Sequence, residues 1–311
     1  MEQLFSLEYI ISILLSGISL GGQLALIAIG YTMVYGILRL INFAHGDVFM
    51  VAGLLGIYIS AALPIYIAIP VVILLTVALG FFIERAAYKP LRSAPRMSVM
   101  ISAIGVSYLL QNLALYITGG LNKNYPTIPW ISDQITVFGA ATKRVTVITP
   151  FLTVALVIVL VWLINHTKIG MAMRAVSRDF ETSQLMGIKI NSVISMTFVI
   201  GTFLAGVASV LYFTNYTTVI QTSGAMPGLK AFVAAVFGGI GSIPGAVVGA
   251  FIIGIAENII KGLDIILFKL GLIAKPMGLA IFSDAFTFAL LIVILAVKPT
   301  GLFGEKITDK V

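Results

Sequence analysis

The 311-residue sequence contains no cysteine, two histidines and two tryptophans, and only 10% of it is Asp, Glu, Lys or Arg. The absence of cysteine excludes disulfides, thiol catalysis and Cys-type metal sites. Of the two histidines, His166 has no evident acid–base partner, and His45 has only Asp47 close by. One His with one Asp is a weak metal signal, so neither a metal nor another cofactor is expected. The shortage of charge is the most restrictive absence. A soluble domain is about 25% charged and about 45–50% apolar. This chain is 59% apolar, with a mean hydropathy of +1.10, so it cannot cover a water-facing surface and the bilayer must be its solvent. No basic segment precedes the first apolar run, which follows Glu2 and Glu8, so no cleavable signal peptide is expected. The formal net charge of +7 does not point to nucleic acid. The basic residues are divided among loops between apolar runs, as the positive-inside rule describes.

What is present is a series of apolar runs near the length of about 20 residues that a spanning helix needs. Eight candidate spans are expected: Tyr9–Leu38, Val48–Leu63, Tyr66–Ile83, Ser98–Thr118, Ile148–Ile164, Ser192–Tyr212, Leu229–Ala256 and Ala285–Val297. They predict an all-α, polytopic fold with one transmembrane domain over residues 1–311. The first and seventh spans are long and glycine-rich, and each is expected to be broken or bent. Arg85, Lys89, Arg92 and Arg96 mark one cytoplasmic loop. Lys168, Arg174, Arg178 and Lys189 mark another, and Lys298, Lys306 and Lys310 mark the tail. Lys123, Lys143 and Arg144 run against this bias on the opposite side.

Crossing parity then requires one more crossing near the seventh span. Gly238, Gly239, Gly241, Pro244 and Gly245 cannot continue an ordinary helix. The span is therefore expected to consist of two half-helices meeting at a buried, close-packed break, either re-entrant or kinked across. Gly245-x-x-x-Gly249 is a small-residue pattern suited to packing helices together. These glycines lack the Gly-Lys-Ser/Thr ending of a phosphate loop, so the chain itself is not expected to hydrolyse ATP.

The loop 166–190 is the most polar part of the chain. Within it, Asp179–Gly187 predicts a short helix. Asp179 is a suitable N-cap, Glu181 places negative charge in the first turn, and Gly187 can take the left-handed conformation that ends a helix. On composition this helix is either a docking element for a partner or an amphipathic cap on the lipid surface. Asn42, His45 and Asp47 interrupt the first pair of spans. They are candidates for the transport pathway, or members of a satisfied network in which Arg39 pairs with Asp47. Glu257 and Asn258 either face the pathway or form a water-exposed helix end.

Several long stretches carry a resemblance. Ala25–Ile37 (ALIAIGYTMVYGI), Ile41–Asp47 (INFAHGD), Glu84–Arg92 (ERAAYKPLR), Ile101–Gly105 (ISAIG), Lys230–Gly245 (KAFVAAVFGGIGSIPG) and Pro299–Gly304 (PTGLFG) occur in this order. Together they resemble the branched-chain amino acid ABC transporter permeases, nearly end to end, and most closely the first of that family's two paired subunits. The resemblance implies a multi-pass protein of the prokaryotic cytoplasmic membrane. It also implies four kinds of partner: a second homologous permease, two cytoplasmic ATPase subunits, the lipid bilayer, and an external binding protein delivering leucine, isoleucine or valine. It places the coupling segment on Ala172–Ile190, with Arg174, Asp179, Phe180, Glu181, Met186 and Gly187 facing the ATPase. Glu181-Thr-Ser departs from the small residues that many importers carry there. Rival readings are a related importer for urea, amides or other small solutes, and a self-sufficient secondary transporter. The secondary transporter would need carboxylates deep in its spans, and no span as drawn above has one away from its ends. A membrane-embedded enzyme would need convergent acid–base or metal residues, which are missing.

Overall fold

The structure, a computed structural model, describes residues 7–92, 94–269, 272, 278–298 and 300–304. Glu2, Pro299, Lys306 and Lys310 lie outside the described residues. The helices are α1 (Leu7–Leu38), α2 (His45–Ala62), α3 (Ile65–Ile83), α4 (Arg96–Thr118), α5 (Arg144–His166), α6 (Lys168–Arg178), α7 (Phe180–Leu185), α8 (Ile190–Asn215), α9 (Ala225–Gly238), α10 (Ile243–Lys269) and α11 (Leu279–Val297). Seven helical segments among the described residues are long and apolar enough to span a membrane, and α9 and the apolar part of α11 are shorter. Two short antiparallel ladders complete the structure. One pairs β1 (Lys123–Asn124) with β4 (Thr218–Val219), and the other pairs β2 (Gln134–Val137) with β3 (Ala140–Lys143).

The organising element is α1. It is one continuous helix of 32 residues, about 48 Å long at 1.5 Å per residue. The expected break is absent, because its glycines are contact points rather than interruptions. A side chain on Gly17 or Gly21 would strike the backbone of α10 at Ile255 or Phe251, and one on Gly30 would strike the ring of His45. Close approach of this kind is how helices associate in lipid, where packing replaces the hydrophobic effect as the driving force. Residues 20–34 of α1 are buried throughout, against α10, α8, α9 and α5. By contrast α3, α4 and α5 expose Leu74, Phe82, Tyr108, Leu109, Phe151 and Ile158, as lipid-facing surfaces do.

Contacts sort the loops to two ends. Tyr88 donates to Asn42 at 2.5 Å, Arg39 donates to the Ser177 carbonyl at 3.2 Å, and the amides of Leu302 and Phe303 donate to Phe237 and Gly238. This end therefore gathers the basic loops and the stretch after α11. At the other end the β1–β4 ladder lies near Gly56, whose α-carbon faces Tyr125. Lys143 donates to the Asn215 carbonyl at 2.9 Å, and Glu8 lies against Gly139.

The parity problem is resolved at the seventh span, which divides in two. The seventh span is two helices meeting at the expected break, and of the two arrangements the chain folds back there and does not kink across. It is an antiparallel hairpin whose turn, residues 239–242, lies at the basic end. Gly238 faces Gly245, and Ala234 faces Gly249, so the small-residue pattern does pack the two helices. With α9, α10 and α11 counted separately, the number of passes becomes odd. The discontinuity within the bundle lies earlier, at residues 221–224. There the chain returns from the β4 end and starts α9 against Gly46 at the head of α2. Gly241 is also not where the packing was expected. It is exposed, with open space where a side chain would project, and glycine is needed there for its φ of +97°.

Candidate functional site

Three groups of residues singled out in the sequence are placed by this fold. The loop 166–190 forms a two-helix arm at the basic end. Thr167 caps α6 by accepting from the Gly170 amide at 3.1 Å, a cap missed in the sequence although Thr before a helical run is its usual sign. Gly170, Met173 and Val176 form the buried face of α6. Asp179 caps α7 twice over. Its carboxylate accepts from the Thr182 amide at 3.0 Å and from the Thr182 hydroxyl at 2.6 Å. Those hydrogen bonds, the hydroxyl's first, hold the Asp179 carboxyl below its usual range. At the other end Ile188 donates to the Ser183 carbonyl and Gly187 to that of Gln184, with Gly187 at φ +83°. This is the Schellman pattern, in which a left-handed residue lets two amides fold back onto the last turn.

The arm presents apolar side chains away from the bundle. Leu185 is 86% exposed and Met186 79% exposed. Phe180 and Glu181 are also exposed. Leu185 was missed in the sequence, although it is apolar and adjacent to Met186 in a polar loop. Arg174 points elsewhere. Its guanidinium turns back to the Ile164 carbonyl and to Asn165, the latter at 3.1 Å, and so fixes the corner between α5 and α6.

The second group does not act together. Asn42 accepts from Tyr88. His45 is buried, its ring between Gly30 and Gly201 and edge-on to Tyr31 at 5.0 Å. Both sit at the α1–α2 corner, Asn42 held by its hydrogen bond and the His45 ring packed with its Nε2 buried and without a hydrogen-bond partner. The expected Arg39–Asp47 pair is not formed, because Arg39 ends α1 with a φ of +53° and reaches towards α6 instead. Asp47 is satisfied by neutral donors from α4, Ser107 at 2.5 Å and Gln111 at 3.0 Å. It lines a cavity of about 270 Å³ between α2, α4 and α9.

Glu257 departs furthest from expectation. The sequence suggests a helix end there, but α10 continues to Lys269, which places Glu257 near the middle of the helix. It is 2% exposed, which overturns the water-exposed reading. Lys230 of α9 lies 2.8 Å from Glu257 and 2.6 Å from Asp284 of α11, and Lys261 lies 2.5 Å from Glu257. These four residues line a second cavity of about 220 Å³. The first turns of α9 separate the two cavities, with Met226, Pro227 and Lys230 on one side and Gly224, Ala225 and Gly228 on the other. Carboxylates therefore do lie deep in the bundle. Each has cationic or neutral donors beside it, and no group of three or more His, Cys, Asp or Glu residues among the described residues could hold a metal.

A polytopic helical bundle with buried polar cavities and a capped arm at its basic end fits a membrane transport subunit. The comparisons make the class particular. Residues 13–295 match the family described as branched-chain amino acid transport system / permease component, and the chain belongs to that family. It is 38% identical to the high-affinity branched-chain amino acid transport system permease protein LivH of Escherichia coli K12, over 97% of this chain and 98% of that one. It is 36% identical to the corresponding permease protein BraD of Pseudomonas aeruginosa, over 96% and 97%. The ribose import permease protein RbsC of Haemophilus influenzae is 28% identical over 78% and 75%.

Proposed function

We propose that this chain is a membrane-spanning permease subunit of an ATP-driven importer for branched-chain amino acids in a prokaryotic cytoplasmic membrane. In this reading a second homologous permease completes the pathway. Two cytoplasmic ATPase subunits supply the energy, and an external binding protein delivers leucine, isoleucine or valine. The observation that carries it is the nearly end-to-end match to permeases named for that transport. The ribose permease matches less of the chain at lower identity, which favours amino acids over sugars.

The arm at 166–190 is the coupling element of this proposal. A conformational change requires a contact whose free energy differs between the two states. Phe180, Leu185 and Met186 are apolar, exposed and held on a capped turn, so they suit a groove on the ATPase, while Arg174 and Asp179 fix the arm's shape. The test is reconstitution of the four-subunit complex in liposomes with the loaded binding protein outside. Uptake of leucine is expected to require internal ATP. Uptake of ribose but not leucine, or uptake indifferent to ATP, would overturn the reading.

A further inference from the structure

We propose that the cavity lined by Lys230, Glu257, Lys261 and Asp284 is a transient site for the charged head of a free α-amino acid on its way through the bundle. The inference rests on the branched-chain reading and adds where, within this chain, the substrate is held. Four observations lead to it. The cluster lies away from the ends of α10: Glu257 is 14 residues past the start of a helix of 27 residues. It joins three helices, since Lys230 is on α9 and Asp284 on α11. It carries two cations and two anions, so it is balanced overall yet offers both signs to a ligand. Finally, Glu257 is unevenly satisfied. Its Oε1 takes both lysines, while its Oε2 is buried with no hydrogen-bond partner among the described residues.

An ion network that only stapled the helices would be expected to fill its space and pair each buried oxygen, since an unpaired buried charge is expensive. Here a cavity of about 220 Å³ is lined by Glu257 together with both lysines and Asp284. An apolar cavity of about 150 Å³ in a soluble protein is enough to hold benzene. A zwitterion matches what is present. Its ammonium group donates to Asp284 beside the Glu257 carboxylate, and its carboxylate accepts from Lys261. An aliphatic side chain then meets Leu20, Leu24 and Met226, which line the same cavity. A ligand with one charge would satisfy half of the cluster and leave the complex with a net charge inside the membrane. The site is not sealed, because the Asp284 side chain is 39% exposed, as a station on a pathway requires.

The experiment has two arms on the assembled permease–ATPase complex. In the first, radiolabelled leucine is bound to the wild-type complex without the binding protein. It is then competed with leucine, with 4-methylpentanoate, which lacks the ammonium, and with isopentylamine, which lacks the carboxylate. Both half-charged analogues are expected to compete at least about tenfold more weakly, the size of one lost charge-assisted hydrogen bond. Equal competition by either would overturn the site. In the second, Glu257→Gln, Lys261→Met and the more exposed Asp284→Asn are compared in uptake. The half-saturating leucine concentration is expected to rise about tenfold in variants that assemble normally. Unchanged half-saturation in assembled variants would also overturn the site. Should none assemble, the competition arm decides alone. A wild-type complex that takes up no leucine would overturn the branched-chain reading itself, a different result from leucine uptake that ignores this cluster.

Discussion

A methyl group on Gly238 would overlap the carbonyl group of Gly245, which faces it across the turn from α9 to α10. The obstacle is backbone, which cannot swing aside as a flexible side chain can. Gly241, three residues on, meets nothing and is constrained only by its positive φ.

The two glycines should therefore fail differently. Gly238→Val forces α9 away from α10, where overpacking costs roughly 1–3 kcal/mol or more, and membrane abundance is expected to fall severalfold. Gly241→Ala strains the turn by roughly 1–2 kcal/mol and should leave most of the protein assembled. Fluorescence-detected size exclusion of the two variants checks this. Equal losses would mean that packing does not separate the two positions.

How much of this was legible beforehand follows from which signals are local. Length and hydropathy are local, so the apolar runs are legible, while their ends and the internal division of the first and seventh are not. Capping is local too, so Asp179 and Gly187 were readable from side-chain chemistry alone. The partners of buried charges are not local. Lys230 and Glu257 are 27 residues apart and meet only because α9 and α10 fold back on each other. That fold-back was hidden, because a glycine-rich turn at a hairpin's end and a break within a helix have the same composition. Arg39 and Asp47 illustrate the converse. They are near in sequence, but the turn at Arg39 directs its side chain to α6 and leaves Asp47 to α4.

Asp47 supplies the second prediction. Its two partners are donors, Ser107 and Gln111. Asp47→Asn keeps an acceptor for one of them, and the Ser107 hydroxyl can rotate to accept from the new amide, so thermal stability should change little. Asp47→Leu removes the acceptor from two half-buried donors and leaves Gln111 only the Ser107 hydroxyl at 3.4 Å, a loss of about 1 kcal/mol for each hydrogen bond. The melting temperature of the purified complex should fall by several degrees in the leucine variant alone. A comparable fall in the asparagine variant would show that the negative charge, not the hydrogen bonding, is what the site needs.

The third prediction concerns pH at α7. The Asp179 carboxyl titrates below its ordinary value in the folded arm. A depressed pKa means that the cap stabilises α7 above the unfolded carboxylate range and is lost as pH falls through the depressed folded value. Amide exchange at Thr182, corrected for intrinsic rate, should therefore stay protected from neutral pH down to the usual aspartate pKa of 3.8 and weaken only below it. Asp179→Asn should show no such titration. Loss of protection already between neutral pH and pH 5 in the wild type would contradict the capping account.

The last prediction joins the geometry of the arm to transport. Gly187 holds φ +83° with open space around it, so a substitution there acts through the backbone and not through a clash. Gly187→Val resists the left-handed conformation by roughly 1–2 kcal/mol and undoes the fold-back that fixes the last turn of α7. Leu185 and Met186, the most exposed apolar side chains on α7 and its cap, would then lose their placement. ATP-driven leucine uptake should drop by about tenfold, the factor that roughly 1.4 kcal/mol represents, while insertion stays normal because no apolar span is touched. Asp179→Asn should remain close to wild type, since Asn caps about as well. Asp179→Leu should fall between the two, having lost the acceptor for the Thr182 amide. Membrane abundance, ATPase co-purification and uptake are measured together. Full uptake with full ATPase binding in Gly187→Val would remove the arm from the coupling mechanism. Equal damage from Asn and Leu at position 179 would assign the effect to charge instead of to the cap.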